Sequence, residues 1–360
     1  MNRPLPKPRF MPTAAAVKTS QSGIFLGEGC YYDPEQLPNG LIIIIGASGS
    51  GKTQTLKAIG WELIQTYPSI RLVVVDFHGD QQLPGETRYA LDMESPHGIN
   101  PLVIDFDTKA GGPDLQAIAT TATFKKALTM GTNQEGLFLN VLSACYHQRG
   151  IIQEDPSTWR REPPNFDDVR AEIEERVEEG CKESMKLERK FAATFRYGIF
   201  SKTQPPLTAK ITRFDLSALG KVEGLGAIAA DAIAKQLLDS HRIMGEIKGR
   251  LPRTYLFIDE AKEVKNSRAV KLIFGDGRKY GLACVLASQR TEEFSAEAIA
   301  NASTKIVLPV DVTDYKKVAS KFRFAESKVA SLKPLEALVR MGTQAKQVNI
   351  VPFWQRVQGL

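Results

Sequence analysis

The sequence predicts an α/β fold in which a mostly parallel, doubly wound central sheet carries an all-helical insertion. Short apolar runs rich in β-branched residues recur at 41–45, 71–76, 211–216, 255–259, 282–287 and 305–310. Helical patterns separate several of these runs, and strands alternating with helices imply parallel pairing with a ligand at the carboxyl ends of the strands. Between residues 111 and 200 the strand signal vanishes, which marks the insertion.

Taken in order, the chain opens with Arg3, Lys7 and Arg9 set among Pro4, Pro6, Pro8 and Pro12. No apolar segment of a signal peptide is present there, so residues 1–22 are expected to form a flexible arm. The first strand, Leu41 to Ile45, runs into Gly46-Ala47-Ser48-Gly49-Ser50-Gly51-Lys52-Thr53, which fits the phosphate-loop pattern G-x-x-x-x-G-K-[ST]. A helix is predicted from Lys52 to about Thr66. Strand, glycine turn and helix are the context this motif requires. Backbone N–H groups of Gly46, Ser48, Gly49, Ser50 and Gly51 turn inward around phosphate oxygens, the helix N-terminus adds partial positive charge, and Lys52 adds a full one. Thr53 is expected to hold Mg²⁺ through its hydroxyl.

The insertion reads as helices over 114–130, 135–148, 166–179 and 182–197, the third capped by Asn165, with a loop around 153–164. Its charge is divided. Glu172, Glu174, Glu175, Glu178 and Glu179 share one helix, whereas Lys182, Lys186, Arg189, Lys190, Arg196, Lys202, Lys210 and Arg213 follow with few opposing acids. A solvated face or a phosphate-contacting surface both explain such a run. The second reading nominates Arg196 and Lys202 as DNA contacts.

Beyond the insertion, an amphipathic helix is expected from Leu225 to Leu237, closed by Gly245 and Gly249 ahead of Pro252. Tyr255-Leu256-Phe257-Ile258-Asp259-Glu260 then places two acids at a strand end, a Walker B pattern. Asp259 suits Mg²⁺, and Glu260 suits orienting or deprotonating an attacking water. The strand from Leu282 ends in Ser288-Gln289-Arg290, putting Gln289 where it can sense a γ-phosphate. Just before that strand, Gly277-Arg278-Lys279 presents a guanidinium suited to an arginine finger, or simply to a helix-end surface.

Composition narrows the class. With 360 residues, 42% hydrophobic and 24% charged, the chain is long enough for a large core and ordinary for a globular protein. A net charge of +6 is compatible with an anionic partner. Cys30, Cys145, Cys181 and Cys284 lack paired spacing, so neither a zinc site nor a disulfide framework is indicated, and a reducing cytoplasm is expected. No apolar run approaches the roughly 20 residues that span a bilayer. An N-K-x-D element, an ABC signature and the arginine-rich late motif of strand-separating helicases are all absent, which disfavours those classes of nucleotide-binding protein.

The order of parts resembles the HerA/FtsK superfamily: the phosphate loop, Val75-Asp76-Phe77-His78-Gly79-Asp80, Ile99-Asn100-Pro101-Leu102, a helical insertion, Phe214-Asp215-Leu216-Ser217, Asp259-Glu260, the Gly277-Arg278-Lys279 loop and the Ser288-Gln289-Arg290 strand end. Within it the chain looks closest to HerA-like motors and the ATPases of conjugation and type IV secretion, over roughly residues 23–353. The resemblance implies a RecA-like ATPase core formed by 23–110 and 201–353, the insertion at 111–200 and a tail at 354–360. It further implies ATP and Mg²⁺ as cofactors, a homo-oligomer that is a hexameric ring, and double-stranded DNA passing through the ring. Glu260 would be the catalytic carboxylate, Gln289 the sensor and Arg278 a finger acting across the subunit interface. A nuclease or a conjugation or secretion apparatus would be the partner. Pro309 stands where relatives carry a second basic residue, and neither an N-terminal β-barrel nor a membrane anchor is recognised. A secretion-type ATPase working on protein subunits, and a nucleotide-regulated assembly scaffold, are the alternatives.

Overall fold

A computed structural model describes residues 22–108 and 111–358, so the arm expected at 1–22 lies, apart from Ser22, outside the described residues. The chain begins with an antiparallel hairpin of β1 (Ile24–Gly27) and β2 (Cys30–Tyr32). It continues through β3 (Ile42–Ile45), α1 (Lys52–Thr66), β4 (Arg71–Asp76) and β5 (Thr87–Ala90). Four helices follow, α2 (Pro113–Ala127), α3 (Thr132–Gln148), α4 (Phe166–Glu178) and α5 (Lys182–Tyr197). After β6 (Ile211–Asp215), α6 (Leu225–Ile243) and β7 (Thr254–Ile258) come α7 (Ala261–Val264), α8 (Arg268–Asp276) and β8 (Leu282–Ser288). The final part holds α9 (Ala296–Asn301), β9 (Thr304–Val307), α10 (Tyr315–Phe322), α11 (Glu326–Ala330), β10 (Glu336–Met341), β11 (Gln344–Asn349) and α12 (Phe353–Arg356).

Nine strands form one sheet in the order β11-β10-β9-β3-β8-β7-β4-β6-β5. All pairs from β9 to β5 are parallel and the pairs β9–β10 and β10–β11 are antiparallel, so among these strands only β10 runs against the rest and the expected mostly parallel sheet is present. Successive residues of the central strands feed opposite faces. Ile43, Ile45, Val73, Val75, Leu256 and Ile258 enter one core together with Ile228, Ile233 and Leu237 of α6. Ile42, Ile44, Leu72, Val74 and Phe257 enter the other with Leu56, Ile59 and Leu63 of α1 and with Ile24 and Tyr32 of the hairpin. Because both faces are covered, these strands read as continuous apolar runs rather than as alternation.

The helices α2 to α5 close around an aromatic centre. The ring of Phe124 lies 5.0 Å from Phe166 and 5.5 Å from Phe191, with Phe138 and Phe200 packed beside them, a geometry that adds to the area each ring buries. This centre is continuous with the core under α6. Asn165 caps α4 as expected, accepting from the N–H groups of Asp167 and Asp168, while Asp168 accepts from the Asn165 N–H in return. The stretch read as a loop at 153–164 contains a 3₁₀ turn, Pro156–Arg160, that buries Trp159.

The sequence reading missed the hairpin, the edge strands β5 and β11, and β10 beside β11. Edge strands keep one face or one side in water, and β11, Gln-Ala-Lys-Gln-Val-Asn, buries only Val348. Phe353 also belongs with the three residues after it in α12, so the boundary expected between 353 and 354 falls inside a helix.

Candidate active site

Strand order brings the functional segments to one rim. β3 lies between β9 and β8, β8 pairs with β7, and β7 with β4, all parallel, so the residues after Ile45, Ser288, Ile258 and Asp76 emerge side by side.

The phosphate loop leaves β3 anchored by the Gly46 N–H on the Ser288 carbonyl (3.2 Å) and the Ala47 N–H on the Pro309 carbonyl (2.8 Å). Pro309 thus has a structural task as the loop's anchor. Gly51 has a φ of 99°, and a Cβ there would sit 2.5 Å from Cδ2 of Leu335, so both backbone conformation and space demand glycine. Lys52 starts α1. Partial burial lowers its pKa, opposed by the negative charges of Glu260, Asp259, Glu293 and Asp80.

Across from Lys52 stands a cluster of carboxylates. Asp76, Asp80 and Asp259 can bring one oxygen each to within 4.8 Å of one another. Asp76 is wholly buried and its oxygens are occupied: Oδ1 accepts from the N–H groups of His78, Gly79 and Asp80, and Oδ2 from Gln81 N–H and the Arg213 guanidinium. It therefore shapes the 77–81 loop. Asp259 is different. Its Oδ1 accepts from the Phe77 N–H at 3.2 Å, whereas its buried Oδ2 has no hydrogen-bond partner among the described residues. Burial, reinforced by the charge of Asp76, lifts its pKa to about 7. A buried, unpartnered carboxylate oxygen beside the exposed Asp80 and the Thr53 hydroxyl, which donates to Asp80 Oδ2 at 3.3 Å, is a donor set that fits a hard divalent cation such as Mg²⁺.

Glu260 is 3% exposed. Its Oε2 lies 3.0 Å from Nε2 of His78 and its Oε1 receives the Ser288 hydroxyl at 3.4 Å. Burial disfavours the His78 cation, but the hydrogen bond to Glu260 and the charges of Asp259, Glu260 and Asp80 outweigh it and raise the imidazole pKa. Gln289 is exposed at the same rim. Its turn is held by Glu293, whose Oε2 accepts from the Gln289 and Arg290 N–H groups at 3.1 Å each and from the Ser288 hydroxyl.

Arg278 stands elsewhere. It lies in the 3₁₀ turn Gly277–Tyr280 at the amino end of β8, exposed and with no ion pair among the described residues. From Leu282 to Ser288 a strand advances about 20 Å. The guanidinium is therefore at the opposite end of the sheet from Lys52 of its own chain.

The basic run after 182 is largely absorbed by the fold. Arg213 is buried between Asp76 and Glu86, Lys210 donates to the carbonyls of Pro68 and Ile70, and Lys190 to that of Thr129. Lys202, expected to contact DNA, instead spends its ammonium on the carbonyls of Asp92 (2.6 Å) and Met93 (3.0 Å), which fastens the 92–98 segment. Arg196 remains exposed at the end of α5.

Asp80, His78, Glu293 and the Asp76–Arg213 pair carried no role in the sequence reading. The run Asp76-Phe77-His78-Gly79-Asp80 was a signal for three of them, since acids and glycine just past a core strand sit at the ligand end of a parallel sheet. Nothing in the sequence pointed to Glu293, whose role depends on a turn.

Fold and rim together define a RecA-like P-loop NTPase core. The same architecture is found in the conjugation type of P-loop protein. VirB4 of Thermoanaerobacter pseudethanolicus superposes with a TM-score of 0.78 at 18% identity, covering 92% of this chain and 96% of that one. The plasmid coupling protein TrwB in complex with ADP and Mg²⁺ gives 0.63 at 15% identity over 91% and 89% of the two chains, and TrwB with the ATP analogue ADPNP gives 0.59 at 16%. No protein-family model and no curated protein matches the sequence. The structural neighbours share the fold that the motif order implies. Among the described residues no helix is long and apolar enough to cross a membrane.

Proposed function

We propose that the protein is an ATP-hydrolysing motor that translocates DNA as a ring of identical subunits. The observation that carries this reading is the convergence of Lys52, Thr53, Asp80, Asp259, Glu260 and Gln289 on one rim of a sheet whose other end presents Arg278. TrwB, a structural neighbour, is known in complex with ADP and Mg²⁺, which supports the same pair of ligands here. Backbone N–H groups from Gly46 to Gly51 and the Lys52 ammonium would bind the phosphates. Thr53, Asp80 and Asp259 would hold Mg²⁺, which when bound neutralises charge on the phosphates. Glu260, kept in place by His78 and Ser288, would orient the attacking water and take its proton, and Gln289 would contact the γ-phosphate. Arg278 would serve a neighbour's nucleotide, since a whole strand length separates it from its own. A head-to-tail contact then repeats around a ring, with six subunits as the expected number and the cytoplasm as the expected compartment.

The test is ATP hydrolysis by the purified chain with and without double-stranded DNA across a range of salt. Phosphate contacts weaken steeply with salt, so stimulation should fade as salt rises. Hydrolysis indifferent to DNA at every salt concentration removes the DNA-motor reading. It would pass the function to the second reading, a secretion-type ATPase acting on protein subunits. That reading is favoured by the internal use of Lys202, Lys210 and Arg213, which leaves a sparser basic surface than the sequence suggests.

A further inference from the structure

We propose that Trp354 and Leu335 form the seat of the nucleobase, with the indole of Trp354 as its stacking platform; this rests on the nucleotide-binding reading above. Direction comes first. In a phosphate loop the backbone takes the α- and β-phosphates and the lysine reaches the β- and γ-phosphates. Thr53, next to Lys52, donates to Asp80, and Asp259 and Glu260 emerge on the same rim, so the γ end points toward these acids. The base must leave on the other side, past Gln54.

On that side two apolar side chains wait. The Oε1 of Gln54 accepts the backbone N–H of Trp354 at 3.3 Å, which pins the start of α12 to the first turn of α1. Phe353 takes the apolar seat below, 8% exposed, with its ring 6.3 Å from Trp61 and the Lys57 ammonium 5.0 Å above it. Trp354, next in the chain, is left 48% exposed, its backbone fixed by the bond to Gln54. Leu335 completes the wall. It holds a φ of 68°, rare for leucine, because its N–H donates to the Ser50 carbonyl at 3.0 Å and its side chain lies against Gly51. A strained non-glycine residue is thus fixed against the loop.

An exposed aromatic face stacks on any nucleobase, so the platform would give affinity with little discrimination among bases. The chemical class of the ligand is therefore a nucleotide whose base is held by ring stacking, with specificity left to the phosphate end.

Binding of ADP with Mg²⁺ and of inorganic tripolyphosphate with Mg²⁺ to the full chain, measured by calorimetry, separates the two ends. Trp354→Ala should weaken ADP by roughly tenfold or more, the range of one base–aromatic stack, and leave tripolyphosphate unchanged. Unchanged tripolyphosphate binding also shows that the variant is folded. Trp354→Phe should restore most of the ADP affinity. In the wild type, ADP should shift tryptophan emission and tripolyphosphate should not, because Trp159 is buried and Trp61 is half-buried beside Phe353. Equal ADP affinity in wild type and Trp354→Ala overturns the platform while the nucleotide site stands. An emission shift that follows protein concentration instead of ADP overturns it in favour of a subunit contact. Wild-type protein that binds neither ADP nor tripolyphosphate overturns the nucleotide site and the platform together.

Discussion

Arg213 of β6 reaches Asp76 of β4 at 2.9 Å across the sheet, with side chains 2% and 0% exposed. The same guanidinium binds Glu86 at 2.8 Å, so a buried cation sits between two acids and, through Asp76, under the loop that presents His78 and Asp80. Removing one member of such a group leaves the others uncompensated away from water. Arg213→Ala is expected to destabilise the fold by about 3–5 kcal/mol, read from urea denaturation. An exposed-lysine-like loss of under about 1 kcal/mol would show that the network is not closed.

Lys52→Ala and Glu260→Gln should fail at different steps. The first removes the charge that meets the phosphates and is expected to abolish ATP binding. The second keeps the shape of Glu260 but not its basicity, so ATP should bind and remain unhydrolysed, with turnover reduced by a factor on the order of 10² or more. Filter binding of labelled ATP beside product release distinguishes them, and normal turnover in Glu260→Gln would remove its assigned role.

Arg278→Ala should abolish hydrolysis while leaving ATP binding intact. In oligomers assembled from Arg278→Ala and Lys52→Ala subunits, some interfaces pair an intact loop with an intact finger. Hydrolysis should partly return in those mixtures, and none in demonstrably mixed oligomers would place the finger elsewhere.

His241 supplies a pH dependence remote from the site. It is 1% exposed, donates from Nδ1 to the Leu237 carbonyl at 2.8 Å and accepts the Thr254 hydroxyl at Nε2, 3.0 Å. Burial, with help from the positive charges of Arg71 and Arg253, lowers its pKa to about 4, while its ordinary value is 6.5. Between those values the unfolded chain binds the proton and the folded chain does not, so stability is fully present above pH 6.5 and drains as pH falls toward 4. The loss is about 1.4 kcal/mol per pH unit, about 3 kcal/mol in all. Denaturation midpoints of wild type and His241→Phe, followed from pH 7.5 to 4.5, should converge by that slope, and parallel curves would exclude the effect.

Much of this site is legible in the sequence. Gly46 to Thr53 and Asp259-Glu260 announce themselves because phosphate and metal chemistry admits few residue types at fixed spacing from a strand. The parallel core was legible because strands covered on both faces, such as Ile42–Ile45, cannot hide their apolarity. What stayed dark was relational. Lys202 and Arg213 look like surface bases until the carbonyls of Asp92 and Met93, or the carboxylates of Asp76 and Glu86, are seen to enclose them. The partnership of His78 with Glu260 spans 182 positions, and only the adjacency of β4 and β7 creates it. Strand β11 was missed because five of its six residues stay in water.

The placement of Lys52 and Arg278 at opposite ends of one sheet has an arithmetic of its own. In the proposed motor a lone subunit holds two halves that never meet, and a pair related by a two-fold axis apposes like ends. Only a directional series completes sites, and a series of n subunits left unclosed completes n − 1 of them, with one loop idle at its leading edge. Closing the circle adds the last site without adding a subunit. Specific activity should therefore rise with length in open chains and jump at closure, so turnover per subunit becomes a gauge of whether the assembly is shut around its load.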